Sequence, residues 1–526
     1  MRIIITFLLF FSALLEYAEY TSILQFADYR LDRTKDYFFS RGGFKSLSKL
    51  HLLWKVIALF LIYQPIFYSY ALHIIFAMLL LDVLYRILFF DKNKFPTFTF
   101  RSFLTLFLPI WLDLMLVIFF IDKPFVLFIL LLRPIIFTIT SVFLLPIFFV
   151  LRNYYIKKAT RKMRTLNNLK VVGITGSFGK TTVKVFLSQI LAKKFKVIHT
   201  PKNINTELGI AKFILQSDLS SYDIFIAEMG AYGRGEIEVM TKMTRPTVGI
   251  LTTIIEQHLA LFKKIENIQL AKFELLYSIP EQGTSIANID NKYIKEFLPN
   301  VKSKIQTFGS VGANNPTCLI KEVVENEKGI IINFEINKEN WQISAPLLGK
   351  HQAHNLASCV LVAISFGMSK DEITEACKTL KVPERTMKLM RYGSSILIDD
   401  SYNANPEGFI AALKSLDVFD KSYKKIVIAR GMFELGEQTI QKHKEVGEEI
   451  SIHSDKLILT TQKPGQLFEA GVDINKTSIS YKIDSDELLK YLIKLKESKN
   501  VILLEHRLPV DVYEALLEDK ELKDFQ

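Results

Sequence analysis

The residues best suited to chemistry begin at GSFGKTT, positions 176–182, which follows the apolar run LKVVGIT (169–175) and opens a helical pattern through Leu191. A strand, a glycine turn, a lysine with hydroxyls and then a helix suit a phosphate group: backbone N–H groups and the helix N-terminus meet its oxygens, the lysine reaches the terminal phosphates, and a hydroxyl ligates magnesium. The common form has four residues between its first glycine and Gly-Lys. Here five lie between Gly173 and Gly179, so the generic spacing misses by one. Three more candidates follow. Glu228 ends the apolar run YDIFIAE just before a glycine turn, where side chains at the C-terminal edge of a sheet do their work. His258 comes soon after GILTTI, and Lys272 falls in a helical stretch. Alone, the histidine reads as a loop residue and the lysine as a solvated one.

Strands alternate with helices from residue 169 onward, which implies α/β domains with mainly parallel sheets. The expected boundaries are a central ATP-binding domain of the P-loop kind at 169–382 and a Rossmann-like C-terminal domain at 383–526. Strands ILID, KIVIA (425–429), KLILT (456–460) and VILLE (501–505) mark the second. The three cysteines, Cys318, Cys359 and Cys377, form no CxxC pair, which excludes a zinc ribbon or a redox motif.

The first 150 residues differ. Of the whole chain 49% is hydrophobic and the mean hydropathy is +0.22, an excess concentrated here. Apolar runs at 3–25, 50–66, 69–90, 103–121 and 125–150 predict about five membrane spans within an α-helical region 1–152, followed by a basic linker 153–168. The first run has a signal peptide as its alternative. Lys and Arg exceed Asp and Glu by 66 to 54, and the surplus flanks the runs, at Arg30, Arg33, Lys35 and again at Lys157, Lys158, Arg161. That is where cytoplasmic loops carry cations, so membrane lipid rather than nucleic acid is the expected partner and a multi-pass cytoplasmic membrane protein the expected location. Asp113 and Arg133 sit deep inside two successive runs, each ten residues from Lys123. A lone charge there is costly, and mutual pairing across a hairpin is the simplest remedy.

The irregular glycine loop GITGSFGKTT resembles that of the Mur ligase family, the ATP-dependent amide ligases of peptidoglycan assembly. NINTELG (203–209), IAEMGAYGRGEIEVMT (226–241), RPTVGILTTIIEQHL (245–259), AKFEL (271–275), GKHQAHN (349–355), Arg385 and DDSYNANP (399–406) extend the resemblance over about 170–526. In order and spacing they are most similar to the members that add D-alanyl-D-alanine. The resemblance implies an acyl-phosphate mechanism with Lys180, His258 and Lys272 as catalytic residues. It implies ATP contacts from Thr175, Gly176, Ser177, Gly179, Lys180, Thr181 and Thr182, from Asn355 at the adenine, Asp400 at the ribose and Arg385 near the phosphates. Thr181 and Glu228 would hold one magnesium ion, and His258 with a carbamylated Lys272 would support a second. Asn203, Asn205, Asn403 and Asn405 would meet the substrates, a cell-wall peptide precursor and an amino acid or dipeptide.

Departures from the family pattern bear on those substrates. Membrane runs occupy the place of the usual UDP-binding domain. Arg430-Gly431 replaces the usual Gly-Asp of ARGMFELG (429–436), and LLEHRLP (503–509) lacks the Lys-Gly-Ser that normally precedes its Arg507. Both changes fall where the incoming amine should bind. Only about 18 residues separate the last run from the first strand, a reach of about 27 Å even as a continuous helix, which favours a lipid-linked acceptor; the alternative is that the spans only localise a ligase that uses the soluble UDP-linked substrate. The rival readings are a ligase of another membrane-associated polymer, such as a polyamide of amino acids, and a non-catalytic nucleotide-sensing membrane protein.

Overall fold

The computed structural model describes residues 2–26, 29, 70–89, 95–120, 126–256, 262–313, 315–402, 405–432, 435, 438–463 and 465–524. The run at 50–66 lies outside them, as do His258 and Asn403. Contacts divide the chain into two units, residues 1–154 and 155–526.

The first unit is helical, with helices Arg2–Phe26, Ala71–Phe89, Phe100–Phe120 and the opening of Val126–Arg164. That last helix runs straight through most of the basic segment anticipated as a linker. Among the described residues three helical stretches are long and apolar enough to cross a membrane: Ile4–Gln25, Phe100–Phe119 and Phe128–Arg164. Arg133 is fully buried and meets Asp113 at 3.2 Å, the pair anticipated from depth alone. The arrangement is larger than a pair. Arg133 also donates to Ser12 Oγ at 2.7 Å, to the Leu9 carbonyl at 2.9 Å and to Glu16 at 3.4 Å, while Tyr17 donates to Asp113 at 3.3 Å. The Ser12 hydroxyl in turn bonds Asp82.

Removing one partner of a buried ion pair strands the other, at a cost of about 3–5 kcal/mol. Asp113→Ala or Arg133→Ala should each lower stability in detergent by that order. The double change should recover only part of the loss, because Glu16 and Ser12 still lose their cation. If the two single losses simply add, measured by unfolding in the same micelles, Asp113 and Arg133 are not coupled.

The second unit carries two sheets. The first comprises β1 Lys170–Thr175, β2 Val197–His199, β3 Ile224–Glu228, β4 Val248–Leu251, β5 Thr284–Asn288, β6 Lys304–Ser310, β7 Cys318–Asn326, β8 Gly329–Ile336 and β9 Glu339–Ala345. Its order is β2-β3-β1-β4-β5-β6-β7-β8-β9, parallel as far as β7 and antiparallel across the last two hairpins. Strands buried on both faces read as near-continuous apolar runs, as VVGIT and IFIA do. Helices Lys180–Leu191 and Gln352–Ser365 cover one face, and Glu207–Gln216, Glu236–Thr244 and Ile265–Ser278 cover the other. The strand order reverses beside β1, and the crevice at such a point, above the C-terminal strand ends, is where α/β sheets bind ligands.

The second sheet has β10 Lys388–Tyr392, β11 Ser395–Asp400, β12 Lys424–Ala429, β13 Lys456–Leu459, β14 Ser478–Tyr481, β15 Asn500–Glu505 and β16 Leu522–Asp524. Its order is β14-β13-β12-β15-β11-β10-β16, with the first five parallel. Helices Pro406–Lys414 and Thr439–His453 cover one face, Ser485–Leu495 and Val510–Glu518 the other.

Candidate active site

The turn after β1 explains the irregular glycine spacing. Gly173 is not part of the turn: it lies within β1, where an added Cβ would come within 2.6 Å of the Leu275 side chain. The turn itself uses Gly176 and Gly179, at φ +149° and +82°. A Cβ on Gly176 would fall 2.0 Å from Thr252 Oγ1, and one on Gly179 would fall 2.7 Å from Asn355 Oδ1. Both positions therefore need glycine for backbone and for space. Ser177 N–H donates to the Thr253 carbonyl at 2.7 Å, which ties the turn to the exit of β4.

Helix Lys180–Leu191 starts directly behind Gly179 with its N–H groups free of any side-chain cap. Lys180 Nζ donates to the carbonyls of Gly176 at 2.7 Å and Ser177 at 3.2 Å, curling over the turn it follows. Burial pushes its pKa down, against the pull of Glu228. Thr181 Oγ1 donates to Glu228 Oε2 at 3.0 Å. The other Glu228 oxygen accepts from Asn205 Nδ2 at 3.1 Å. Glu228 also meets Lys184 Nζ at 2.9 Å, an ion pair that is almost wholly buried. Lys184 escaped notice in the sequence, although its signal was present: it stands one helical turn beyond Lys180, on the same face.

Lys180 and Asn205 line a cleft together with Gly176, Ser177, Tyr232 and Lys272, among others. Lys272 reaches it from helix Ile265–Ser278 and is 5% exposed. It is no solvated lysine. Burial first, then the Lys180 charge, holds its pKa down to about 7, so much of its amine is uncharged near neutrality.

The remaining sequence candidates divide. Asn203 and Asn205 stand at this end of the sheet, and the hydroxyl of Tyr402, from the turn after β11, is held above the usual tyrosine range by burial and then by the Glu228 charge. The C-terminal strand ends of the second sheet thus approach the cleft. Asn355 lies against Gly179 and donates to Gln352 Oε1 at 2.9 Å. Thr175 is buried and donates to the Met229 carbonyl at 2.8 Å, joining the ends of β1 and β3, while Thr182 is buried in the first helical turn. Arg385 is not among the residues lining the cleft; its backbone is left-handed at φ +61°, and its guanidinium lies over the Tyr513 ring, 3.9 Å from the centroid. Asp400 accepts from Met387 N–H at 3.0 Å, and burial raises its pKa to about 7. Asn405 caps helix Pro406–Lys414, its oxygen accepting from Gly408 N–H at 2.8 Å. That oxygen already has its partner.

Comparison with known proteins agrees with this architecture. Residues 174–363 match the family description "Mur ligase middle domain", and 385–505 match "Mur ligase, glutamate ligase domain". The UDP-N-acetylmuramoyl-tripeptide--D-alanyl-D-alanine ligase of Buchnera aphidicola is 30% identical over 351 residues, 65% of this chain and 73% of that protein. The enzyme of the same name from Bacillus subtilis is 28% identical over 339 residues, 64% of this chain and 72% of that one. Among solved structures, MurF ligase from Thermotoga maritima in complex with ADP superposes with a TM-score of 0.61 at 25% identity, covering 70% of this chain and 82% of that one. MurF from Acinetobacter baumannii superposes with a TM-score of 0.62 at 24% identity, over 70% and 81%. With both of the family's α/β domains present in order, and with identity of this extent, the chain belongs to the Mur ligase family.

Proposed function

We propose that this chain is a membrane-anchored, ATP-dependent amide ligase that joins D-alanyl-D-alanine to a muramoyl-peptide precursor of the cell wall. The observation that carries the reading is that Lys180 and Lys272 line one cleft behind a glycine turn, with the Thr181–Glu228 pair bonded to its wall through Asn205. A cradle that a Cβ would fill, at Gly176 and Gly179, suits the phosphates of ATP. A hydroxyl and a carboxylate 3.0 Å apart at the start of a helix suit magnesium. When bound, that ion would neutralise charge on the phosphoryl group in transfer.

The chain's own residues supply the rest. Lys180 holds the terminal phosphates while the precursor's carboxylate oxygen attacks the γ-phosphorus. The bond to ADP breaks, and an acyl phosphate forms. The unprotonated amine of the dipeptide then attacks the acyl carbon, phosphate leaves, and the amine's extra proton is released. Asn205 and Lys184 hold the Glu228 carboxylate in place from two sides. The neutral amine of Lys272 can add CO2 and lose a proton, so that a group whose protonated form repels Lys180 becomes a carbamate anion that would support a bound metal ion.

The acceptor we propose is the lipid-linked form of the precursor. Long apolar helices would anchor the ligase in the bilayer, and tethering raises the effective concentration of a partner held in the same surface. Purified protein in nanodiscs, given ATP and D-alanyl-D-alanine, should release ADP and phosphate when the lipid-linked peptide is added. Turnover of the UDP-linked peptide with none of the lipid-linked one would overturn the choice of acceptor. No amine-dependent turnover with either would overturn the ligase reading and leave nucleotide sensing.

A further inference from the structure

The second sheet carries a buried carboxyl that none of the steps above employs. Glu505 ends β15 and is 1% exposed, and among the described residues neither of its side-chain oxygens has a hydrogen-bond partner. A carboxyl in that state is expensive unless something supplies a donor. The strand register shows what surrounds it. Ala429, Glu505 and Asp400 are direct neighbours across β12, β15 and β11, so the three share one face at the C-terminal edge of the parallel strands. Asp399 belongs to the opposite face, where it accepts from Tyr513 at 2.7 Å. Burial raises the Glu505 pKa well above the carboxylate range, and the Asp400 and Asp399 charges add to the rise. This is a place short of a cation.

The cations nearby follow the strand ends in the chain: Arg430 comes directly after β12, and Arg507 two residues after β15. With burial, their charges hold the His506 pKa down to about 4. An acid at the strand end and two guanidinium groups past it complement a zwitterion. The same edge faces the first sheet, since Gln438 after β12 donates to Glu256, beyond the exit of β4, at 3.3 Å, and Tyr402 after β11 feels the Glu228 charge.

We propose that Glu505 is the docking group for the protonated amine of the second substrate, whose carboxylate faces Arg430 and Arg507. The second substrate is thus an amino acid or short peptide with both termini free. The proposal rests on the ligase reading above. It assigns recognition of the amine to an acidic residue within LLEHRLP, the segment that lacks the Lys-Gly-Ser normally preceding Arg507.

The test uses the full-length protein in nanodiscs with D-alanyl-D-alanine as the probe. Glu505→Gln keeps the shape and removes the charge. It should raise KM for the dipeptide by about ten-fold or more, the loss expected for a hydrogen bond to a charged group, and leave KM for ATP nearly unchanged. N-acetyl-D-alanyl-D-alanine keeps the carboxylate and lacks the ammonium. Wild type should bind it far more weakly than the dipeptide, measured as competitive inhibition, and Glu505→Gln should narrow that gap. Glu505→Lys should lose dipeptide binding altogether. Unchanged dipeptide KM in Glu505→Gln, or retained binding in Glu505→Lys, would show a merely structural carboxyl. Absence of turnover in wild type would instead count against the ligase reading, so the two failures are distinct.

Discussion

Lys272→Ala is expected to reduce turnover by about 10²-fold or more while leaving ATP binding largely intact, since lost electrostatic stabilisation at a transferring phosphoryl group is of that order. The side chain enters the cleft from helix Ile265–Ser278, whereas Lys180 opens the helix directly behind the glycine turn. Two roles compete for such a lysine. As a cation it would add charge beside Lys180, and its removal should then help Lys180 stay protonated. As a carbamate it would be an anion, and its removal should weaken metal-dependent steps. The variants separate these roles. Lys272→Glu, which restores a negative charge at shorter reach, or added short carboxylates with Lys272→Ala, should recover part of the rate only in the second case. Mass spectrometry in CO2-rich buffer at neutral pH would look for the 44 Da adduct of a carbamate, in line with the chemistry of a neutral amine. Wild-type activity in Lys272→Ala would end the assignment.

How much of this was legible before folding depends on how local each feature is. The glycine turn, the strand before it and the helix behind it are contiguous, and period and residue type were enough to place them. The missed unit in the spacing has a local cause as well: Gly173 packs against Leu275 inside β1, so the turn starts later than the generic pattern assumes. The Asp113–Arg133 pair was legible through depth arithmetic, yet Ser12, Glu16 and Asp82 come from other helices, and nothing in their spacing betrays that packing. Asn405 could have been read as a cap, because Asn-Pro-Glu before an apolar run is a helix start. Glu505 could not: its isolation is visible only once β11, β12 and β15, distant in sequence, are laid side by side. Arg385 stacks on Tyr513, a residue more than a hundred positions away, and nothing in its spacing points to that partner. His258 and Asn403 lie outside the described residues, so their expected roles stay with the resemblance that suggested them.

Lys180→Ala should cost at least as much as the loss at Lys272, about 10²–10³-fold in turnover, but with a different signature. Lys180 is the only lysine whose amine curls over the glycine turn among the described residues, donating to the carbonyls of Gly176 and Ser177. Those contacts hold its long chain ready, so little side-chain freedom remains to be lost when phosphate arrives. Its removal should therefore weaken nucleotide binding and slow phosphoryl transfer together, raising KM for ATP as well as lowering kcat. Lys184 lies only one helical turn away, yet it cannot substitute, because its amine is committed to Glu228 at 2.9 Å and to the Lys202 carbonyl at 2.7 Å. Lys180→Arg should not restore the rate, since a planar fork does not fit where a compact ammonium folds back over a tight turn. Equilibrium binding of ATP with and without magnesium, beside steady-state turnover, distinguishes the two lysines: Lys180→Ala moves both, Lys272→Ala chiefly the second. If Lys180→Ala bound ATP as tightly as wild type and turned over normally, the phosphate-holding role of the glycine turn would fall with it.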